Sequence, residues 1–172
     1  MMGLLQRLAN RLQAAIGIGR LTLTDDTGST VQKLQARFGQ LELRDGIPRL
    51  AEFGFASNPP PGSDCAAVFV NGDRSNGVVI ATGNQLYRLK GLATGDAALY
   101  DSRGQSVWLT ANGIVINGNG LPMTLNNVPT ITMPDTTLLE LPNGDVTASG
   151  ISLKNHTHGG VQVGSGSTGV PQ

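Results

Sequence analysis

The stretch SVWLTANGIVINGNG, residues 106–120, alternates apolar and polar side chains in two short runs. In an extended strand every second side chain lies on the same face, so Val107 pairs with Leu109, and Ile114 with Ile116. Each run offers only two apolar side chains to that face, which is too narrow a stripe to form a core with itself. The stretch therefore predicts strands whose apolar face is covered by another part of the molecule.

The same narrow alternation continues toward the C-terminus in short pieces separated by Asn, Gly and Pro. Ile131 pairs in this way with Met133, and Leu139 with Leu141. No long helix is predicted to cover them, but copies of the same stripe would. Three chains wound about one axis would each give one wall of a triangular prism, leave no free sheet edge and close at three subunits. We therefore predict an intertwined homotrimeric β-helix over residues 96–154.

A disordered glycine-rich tail is the alternative for this region. The apolar alternation persists across about 50 residues, which a disordered segment of low hydrophobicity would not need. Ordered β-structure is therefore favoured.

Residues 19–95 also show a period of two, in longer runs. RLTLTDD, TVQKLQARF and QLELRDG precede PPPG at residues 59–62, and CAAVFV, GVVIATG and YRLKGL follow it. Five or six short strands with frequent turns are typical of a small closed β-barrel. We predict an OB-type barrel here, and an all-β fold class for the chain.

The N-terminal residues 1–18 follow a helical pattern instead. Apolar residues recur at helical spacing, with arginines on the other face: Leu4, Leu5, Leu8, Leu12 and Ile16. Arg7, Arg11 and Gln13 interrupt any apolar core of a secretion signal, and no run reaches the ~18 apolar residues of a membrane span. We predict an amphipathic helix over residues 3–16 that docks on a partner. A frayed terminus is the alternative.

Composition argues against binding of nucleic acid. The 12 Lys and Arg residues balance 12 Asp and Glu, and only 14% of the chain is charged, against roughly a quarter in ordinary soluble domains. Such a surface attracts phosphate backbones weakly, and residues 19–95 contain few aromatic side chains for stacking on bases. Cys65 is the only cysteine, and we predict a small buried thiol.

Both histidines of the chain lie in NHTHGG, residues 155–160. In an extended strand His156 and His158 project to the same face, which in a threefold prism is the axis. Three chains would then bring six imidazole nitrogens to one point, a donor set that suits an octahedral ion better than four-coordinate zinc. Iron is favoured, with nickel and cobalt open. Because Ile151 and Leu153 occupy the other register, a bulge or turn near residues 154–155 is also required.

Two other interpretations of the histidine pair are open. A His-x-His pair in a Gly/Ser tail is often exposed sequence with no role. An enzymatic metal site with a facial triad would need a carboxylate as well, and no Asp or Glu follows Asp145. The predicted threefold context favours a metal site shared by three chains.

Two stretches resemble a known family. PPPGSDCAAVFVNGDRSNGVV, residues 59–79, and NGDVTASGISLKNHTHGGVQVGSGSTG, residues 143–169, are similar to the central spike, or baseplate assembly, proteins of contractile-tailed bacteriophages, particularly of the Mu type. The second stretch is the more specific, because it combines GDV, SGISLK, H-x-H-G and a Gly/Ser terminus in order. The resemblance covers essentially the whole chain.

The resemblance implies a homotrimer with an OB domain on the baseplate hub and a β-helical needle pointing away from it. The needle would end in an apex, residues 155–172, where His156 and His158 of three chains bind one iron ion on the axis. Calcium or chloride could also lie on the axis. The implied location is the tail tip of the virion. The virion would be assembled in the host cytoplasm.

The function expected from this resemblance is non-enzymatic piercing of the host outer membrane when the tail sheath contracts. Two alternatives from other classes remain. One is a trimeric tailspike that cleaves host polysaccharide, for which Asp101, Asp135, Glu140 and Asp145 are the available carboxylates without an evident pairing. The other is a purely structural baseplate adaptor.

Overall fold

The computed structural model describes residues 3–28, 30–135, 138–157, 160 and 164. It divides into two compact units, the first ending at Thr124 and the second beginning at Leu125. Most of the regular structure in the described residues is β-strand, with one α-helix near the N-terminus. The all-β class is confirmed. The sequence-predicted boundaries at residues 18, 95 and 154 stay predictions.

A five-stranded antiparallel sheet forms the body of the first unit. Its strands are β1 (Ile16–Asp25), β2 (Lys33–Arg37), β3 (Leu43–Pro48), β4 (Asp64–Phe69) and β5 (Gly77–Gly83), in the spatial order β3-β2-β1-β4-β5. Arg49, directly after β3, forms a parallel bridge with Val79 of β5. The Leu50 N–H also donates to the Val79 carbonyl at 3.0 Å. The chain leaving β3 therefore reaches the strand at the opposite edge of the sheet.

The core of this sheet is one cluster of buried apolar side chains. Its members are Leu21, Leu34, Ala36, Ile47, Cys65, Ala67, Phe69 and Val79. The prediction of a buried Cys65 thiol is confirmed, and burial raises the pKa of this thiol. The alternation read from the sequence thus places one face of each strand in the core.

An ion pair covers one end of the core. The Arg74 guanidinium stacks 3.7 Å from the Phe69 ring centroid and donates from Nε and Nη2 to the two carboxylate oxygens of Glu42, at 2.8 and 3.0 Å. These bonds from Arg74 lower the pKa of Glu42. A Cβ on Gly17 would lie within 2.9 Å of Arg74, Phe38 and Phe69 side-chain atoms. The glycine therefore lets the backbone of β1 approach this cluster closely.

Replacing Phe69 by alanine is expected to destabilise the first unit by ~3–5 kcal/mol, because it empties a buried aromatic site. Phe69 is 1% exposed, whereas Phe53 is fully exposed, so Phe53→Ala is the matched control. Denaturant unfolding of the full chain, followed by circular dichroism, measures both. Equal losses in the two variants would contradict the assignment of Phe69 to the core.

Two predicted elements near this sheet were wrong. Ile16 belongs to β1 and pairs with Val68 of β4, rather than continuing the helix. Its β-branched side chain and the Gly-Ile-Gly that follows favour the strand. YRLKGL, residues 87–92, is no strand, because the Asn84 side chain and carbonyl accept the N–H groups of Leu86 and Arg88 and hold a turn there.

The N-terminal helix is α1, Leu4–Ala14. It is shorter than the predicted span of residues 3–16, and its apolar side chains Leu4, Leu5, Leu8 and Leu12 are exposed. Its C-terminal end is tied to the sheet through the Phe69 N–H, which donates to the Ala15 carbonyl at 2.8 Å. The helix is confirmed, and its docking on a partner stays a prediction. Among the described residues, no helix is long and apolar enough to cross a membrane.

A second, three-stranded antiparallel sheet follows in the first unit. Its strands are β6 (Ala97–Tyr100), β7 (Ser106–Thr110) and β8 (Gly113–Asn117), in chain order. The second unit contains a short hairpin of β9 (Thr147–Ala148) and β10 (Ile151–Ser152). The described residues between β8 and β9 form no regular strand within this one chain.

Candidate functional site: an apolar sheet face and a histidine-bearing tip

One face of the three-stranded sheet is wholly apolar. Its register places Leu99 opposite Val107 and Val107 opposite Ile116, while Leu109 lies between Ala97 and Ile114. All six side chains are exposed in the single chain, and Ile114 is 69% exposed. The two pairs read from the sequence therefore lie side by side on one surface. Exposed apolar surface of this kind marks an interaction site.

The opposite face of the same sheet is partly buried and contains a hydrogen-bonded tryptophan. Ala98, Trp108 and Val115 lie across it, and the Trp108 indole N–H donates to the Asp96 carboxylate at 3.1 Å. Ala98 and Trp108 are half-buried. The two faces are thus distinct, and the apolar one is the candidate interface.

The second unit also exposes many apolar side chains. They include Leu125, Val128, Ile131, Met133, Leu138, Leu139, Leu141, Val146, Ile151 and Leu153. Within this unit they have no core of their own in the described residues. The predicted pairs Ile131 with Met133 and Leu139 with Leu141 are part of this exposed set.

The hairpin of β9 and β10 leads directly to the first histidine. Its two central residues, Ser149 and Gly150, both have positive φ, +51° and +83°, as tight two-residue hairpins require. Residues 153–155 then form a turn, in which the His156 N–H donates to the Ser152 carbonyl at 3.1 Å. The sequence predicts a bulge or turn near residues 154–155, because Leu153 and His156 occupy different strand registers. The structure confirms a turn there.

The ring of His156 is oriented by the backbone of this turn. Its Nδ1 lies 2.9 Å from the Ser152 carbonyl oxygen and 3.1 Å from that of Leu153. A carbonyl oxygen only accepts hydrogen bonds, so Nδ1 must have the proton. In a neutral imidazole the lone pair is then on Nε2.

The predicted partner of this histidine, His158, lies outside the described residues, so their shared direction stays a prediction. In the part of the chain that the structure describes, no three His, Cys, Asp or Glu side chains form a group that could hold a metal. The predicted site would take two imidazoles from each of three chains. The ring of His156 fits a metal, since histidine ligands commonly donate their other ring N–H to a backbone carbonyl.

One acidic residue at this tip has a role that the sequence did not reveal. Asp145 accepts hydrogen bonds from the Ser152 hydroxyl and from the Lys154 N–H, the latter at 3.0 Å. The Ser152 bond, with those from backbone N–H groups, lowers the pKa of Asp145. A sequence signal could have predicted this pairing. Asp145 and Ser152 are seven residues apart, and the Ser149-Gly150 turn between them brings both to the open end of two short strands.

Comparison with known proteins relates both regions to phage proteins. The family model described as Bacteriophage Mu Gp45, N-terminal, matches residues 19–86, and the GpV Apex motif matches residues 150–172. Mu-like prophage FluMu protein gp45 of Haemophilus influenzae is 31% identical over 142 residues, with 74% of this chain and 77% of that protein covered. The chain belongs to the Mu gp45 family. A further relative is Baseplate puncturing device gp45 of Escherichia phage Mu, 28% identical over 144 residues, with 83% of this chain and 71% of that protein covered.

Membership in the Mu gp45 family confirms the resemblance read from the sequence. The N-terminal match contains β2 to β5 and most of β1. The apex match contains both histidines and Ser152, but begins after Asp145. Asp145 therefore lies outside the matched motif, although it accepts hydrogen bonds from Ser152 and Lys154 within that motif.

Proposed function

We propose that this chain is the non-enzymatic spike at the tip of a contractile phage tail, and that it pierces the host outer membrane when the sheath contracts. The relative in Escherichia phage Mu is named a baseplate puncturing device. The observation that carries the proposal is the exposed apolar face of β6–β8, which one chain leaves uncovered upstream of an apex motif. Such a face suits an elongated needle built from several copies of the chain.

The needle is a homotrimeric β-helix joined to an OB-type barrel. The bridge from Arg49 to Val79, which links the two outer strands β3 and β5, supports the barrel. The apolar face supports the trimer, because three copies around an axis would bury it and end the assembly at three. The exposed apolar side chains of the second unit would be buried in the same way.

The apex is closed by one iron ion on the threefold axis. His156 and His158 of three chains supply six nitrogens, and the ion joins chain ends that would otherwise fray. Metal binding of this kind could add several kcal/mol of cohesion. Calcium or chloride could occupy further positions on the axis.

The composition of the apex favours passage through an apolar layer. Lys154 is the only Lys, Arg, Asp or Glu between residues 146 and 172, and each charge left out avoids a large desolvation cost. The partners are two further copies of the chain, the baseplate hub and the host outer membrane. The location is the tail tip of the virion, assembled in the host cytoplasm.

The proposal is tested with phage particles whose spike ends after residue 144. These particles should assemble and adsorb, but fail to permeabilise the host outer membrane to a dye that wild-type particles admit. Undiminished infection would favour the adaptor instead. Release of sugar fragments from host polysaccharide by the purified chain would favour the tailspike.

Deletion of residues 3–14 tests the docking of α1. The four leucines of the helix are exposed in the single chain, so their loss should leave the proposed trimer intact and reduce incorporation into tails several-fold. Quantitative immunoblots of purified tails measure incorporation, with Gln6→Ala, on the polar side, as control. Normal incorporation of the deleted chain would contradict docking.

A further inference from the structure

We infer that Asp145 is the positioning residue of the metal-binding tip: by accepting hydrogen bonds from Ser152 and Lys154 it fixes the turn whose carbonyls orient the His156 ring. This inference rests on the proposed metal site. It concerns a residue outside the apex motif, in the segment that enters the hairpin.

The first step is the closing of the hairpin. Asp145 lies two residues before β9, and Ser152 is the last residue of β10. Two strands of two residues form few ladder hydrogen bonds and are marginal by themselves. The bond from the Ser152 hydroxyl to the Asp145 carboxylate joins the open end of this hairpin. Hydrogen bonds to a charged acceptor are about twice as strong as neutral ones.

The second step is the turn. The other oxygen of Asp145 accepts the Lys154 N–H at 3.0 Å, and the Ser152 Oγ accepts the Asn155 N–H at 2.8 Å. One carboxylate and one hydroxyl therefore bind two successive N–H groups within the turn. Without them the same N–H groups would bond to water and the turn could open.

The third step is the histidine. The carbonyls of Ser152 and Leu153 that accept from His156 Nδ1 belong to the backbone fixed in this way. Their positions select the Nδ1–H tautomer and the ring orientation. Groups behind a metal ligand that set its tautomer typically change metal affinity by roughly 10–100-fold when removed. Asp145 acts on the ring through these groups.

The test compares Asp145→Ala with Asp101→Ala in the full chain. Asp101 is a matched control, because its carboxylate also accepts two local hydrogen bonds, from the N–H groups of Arg103 and Gln105, each at 2.9 Å. Titration with Fe²⁺ against a chromogenic chelator should show roughly 10–100-fold weaker binding for Asp145→Ala and wild-type binding for Asp101→Ala. Ser152→Ala should weaken binding in the same direction, and Ser152→Thr, which keeps the hydroxyl, should restore it. Equal affinities for wild type, Asp145→Ala and Ser152→Ala would overturn the inference, as would an equal loss in Asp101→Ala.

A measurement on the metal-free chain separates this inference from the proposed function. Nitrogen-15 chemical shifts of the His156 ring should show the Nδ1–H tautomer in wild type and a mixture in Asp145→Ala. An Nε2–H tautomer in wild type would overturn the positioning role even if metal binds. Absence of Fe²⁺ binding in wild type, with the tautomer as expected, would instead overturn the proposed metal site and leave the positioning of the ring standing.

Discussion

Replacing Ile114 and Ile116 together by aspartate is expected to convert the proposed trimer into monomers at micromolar concentration. Both side chains lie on the apolar face of β8, at 69% and 60% exposure in the single chain. Burying an isoleucine is worth ~1.5–3 kcal/mol, and a threefold assembly would bury six of them. The variant loses this gain and would also place six carboxylates in an apolar interior. Sedimentation velocity measures the change in mass.

Val115→Asp is the matched control for this prediction. Val115 lies between the two isoleucines on the same strand and is also half-exposed, but its side chain projects to the opposite face. It should therefore leave the trimer intact. A wild-type chain that sediments as a folded monomer would contradict the prism, and an equal effect of Val115→Asp would contradict the choice of face.

The strands of the five-stranded sheet could be predicted because their apolar residues either alternate with polar ones or form short apolar runs bounded by turn residues. Leu21 and Leu34, with Ala67 and Val79 on the later strands, are all buried and all lie in runs that the sequence marks as strands. The spatial order β3-β2-β1-β4-β5 is not written in any local pattern. It depends on pairing between residues far apart, such as Ile16 with Val68, and periodicity has no information on partners.

The errors in this region came from residues whose neighbours decide their structure. Ile16 continues the helical spacing of the leucines, but its pairing with β4 prevails. YRLKGL alternates like a strand, yet the Asn84 carbonyl accepts the Arg88 N–H and closes a turn. Propensity is a weak prior wherever tertiary hydrogen bonds compete with it.

At the tip, the turn before His156 could be predicted, and the hydrogen bonds that fix this turn could not. The register conflict between Leu153 and His156 required a turn, which lies at residues 153–155. The bond between Asp145 and Ser152 depends on a two-residue hairpin that brings residues seven apart together. The described residues between β8 and β9 form no regular strand in one chain, and their pairing with other copies stays a prediction.

Removing both imidazoles is expected to abolish metal binding at the apex. In the proposed assembly, His156→Ala with His158→Ala deletes all six ligands and leaves the upstream apolar contacts unchanged. Bound iron should therefore fall from one ion per trimer to none, while sedimentation still shows a trimer. Since the metal joins the three chain ends, limited proteolysis should become faster after about residue 150, at a terminus no longer tied down. Elemental analysis of the purified, chelator-free protein measures the stoichiometry.

Thr157→Ala is the control for this double replacement, because residue 157 lies between the histidines and projects to the other face of an extended strand. It should keep one ion per trimer and wild-type resistance to protease. The single variant His156→Ala leaves three of the six ligands, so its affinity should fall between those of the wild type and the double variant. Stoichiometry decides the model more sharply than affinity does, since six ligands from three chains allow one ion only. Metal at one per chain, or undiminished binding in the double variant, would show that the ion is held elsewhere.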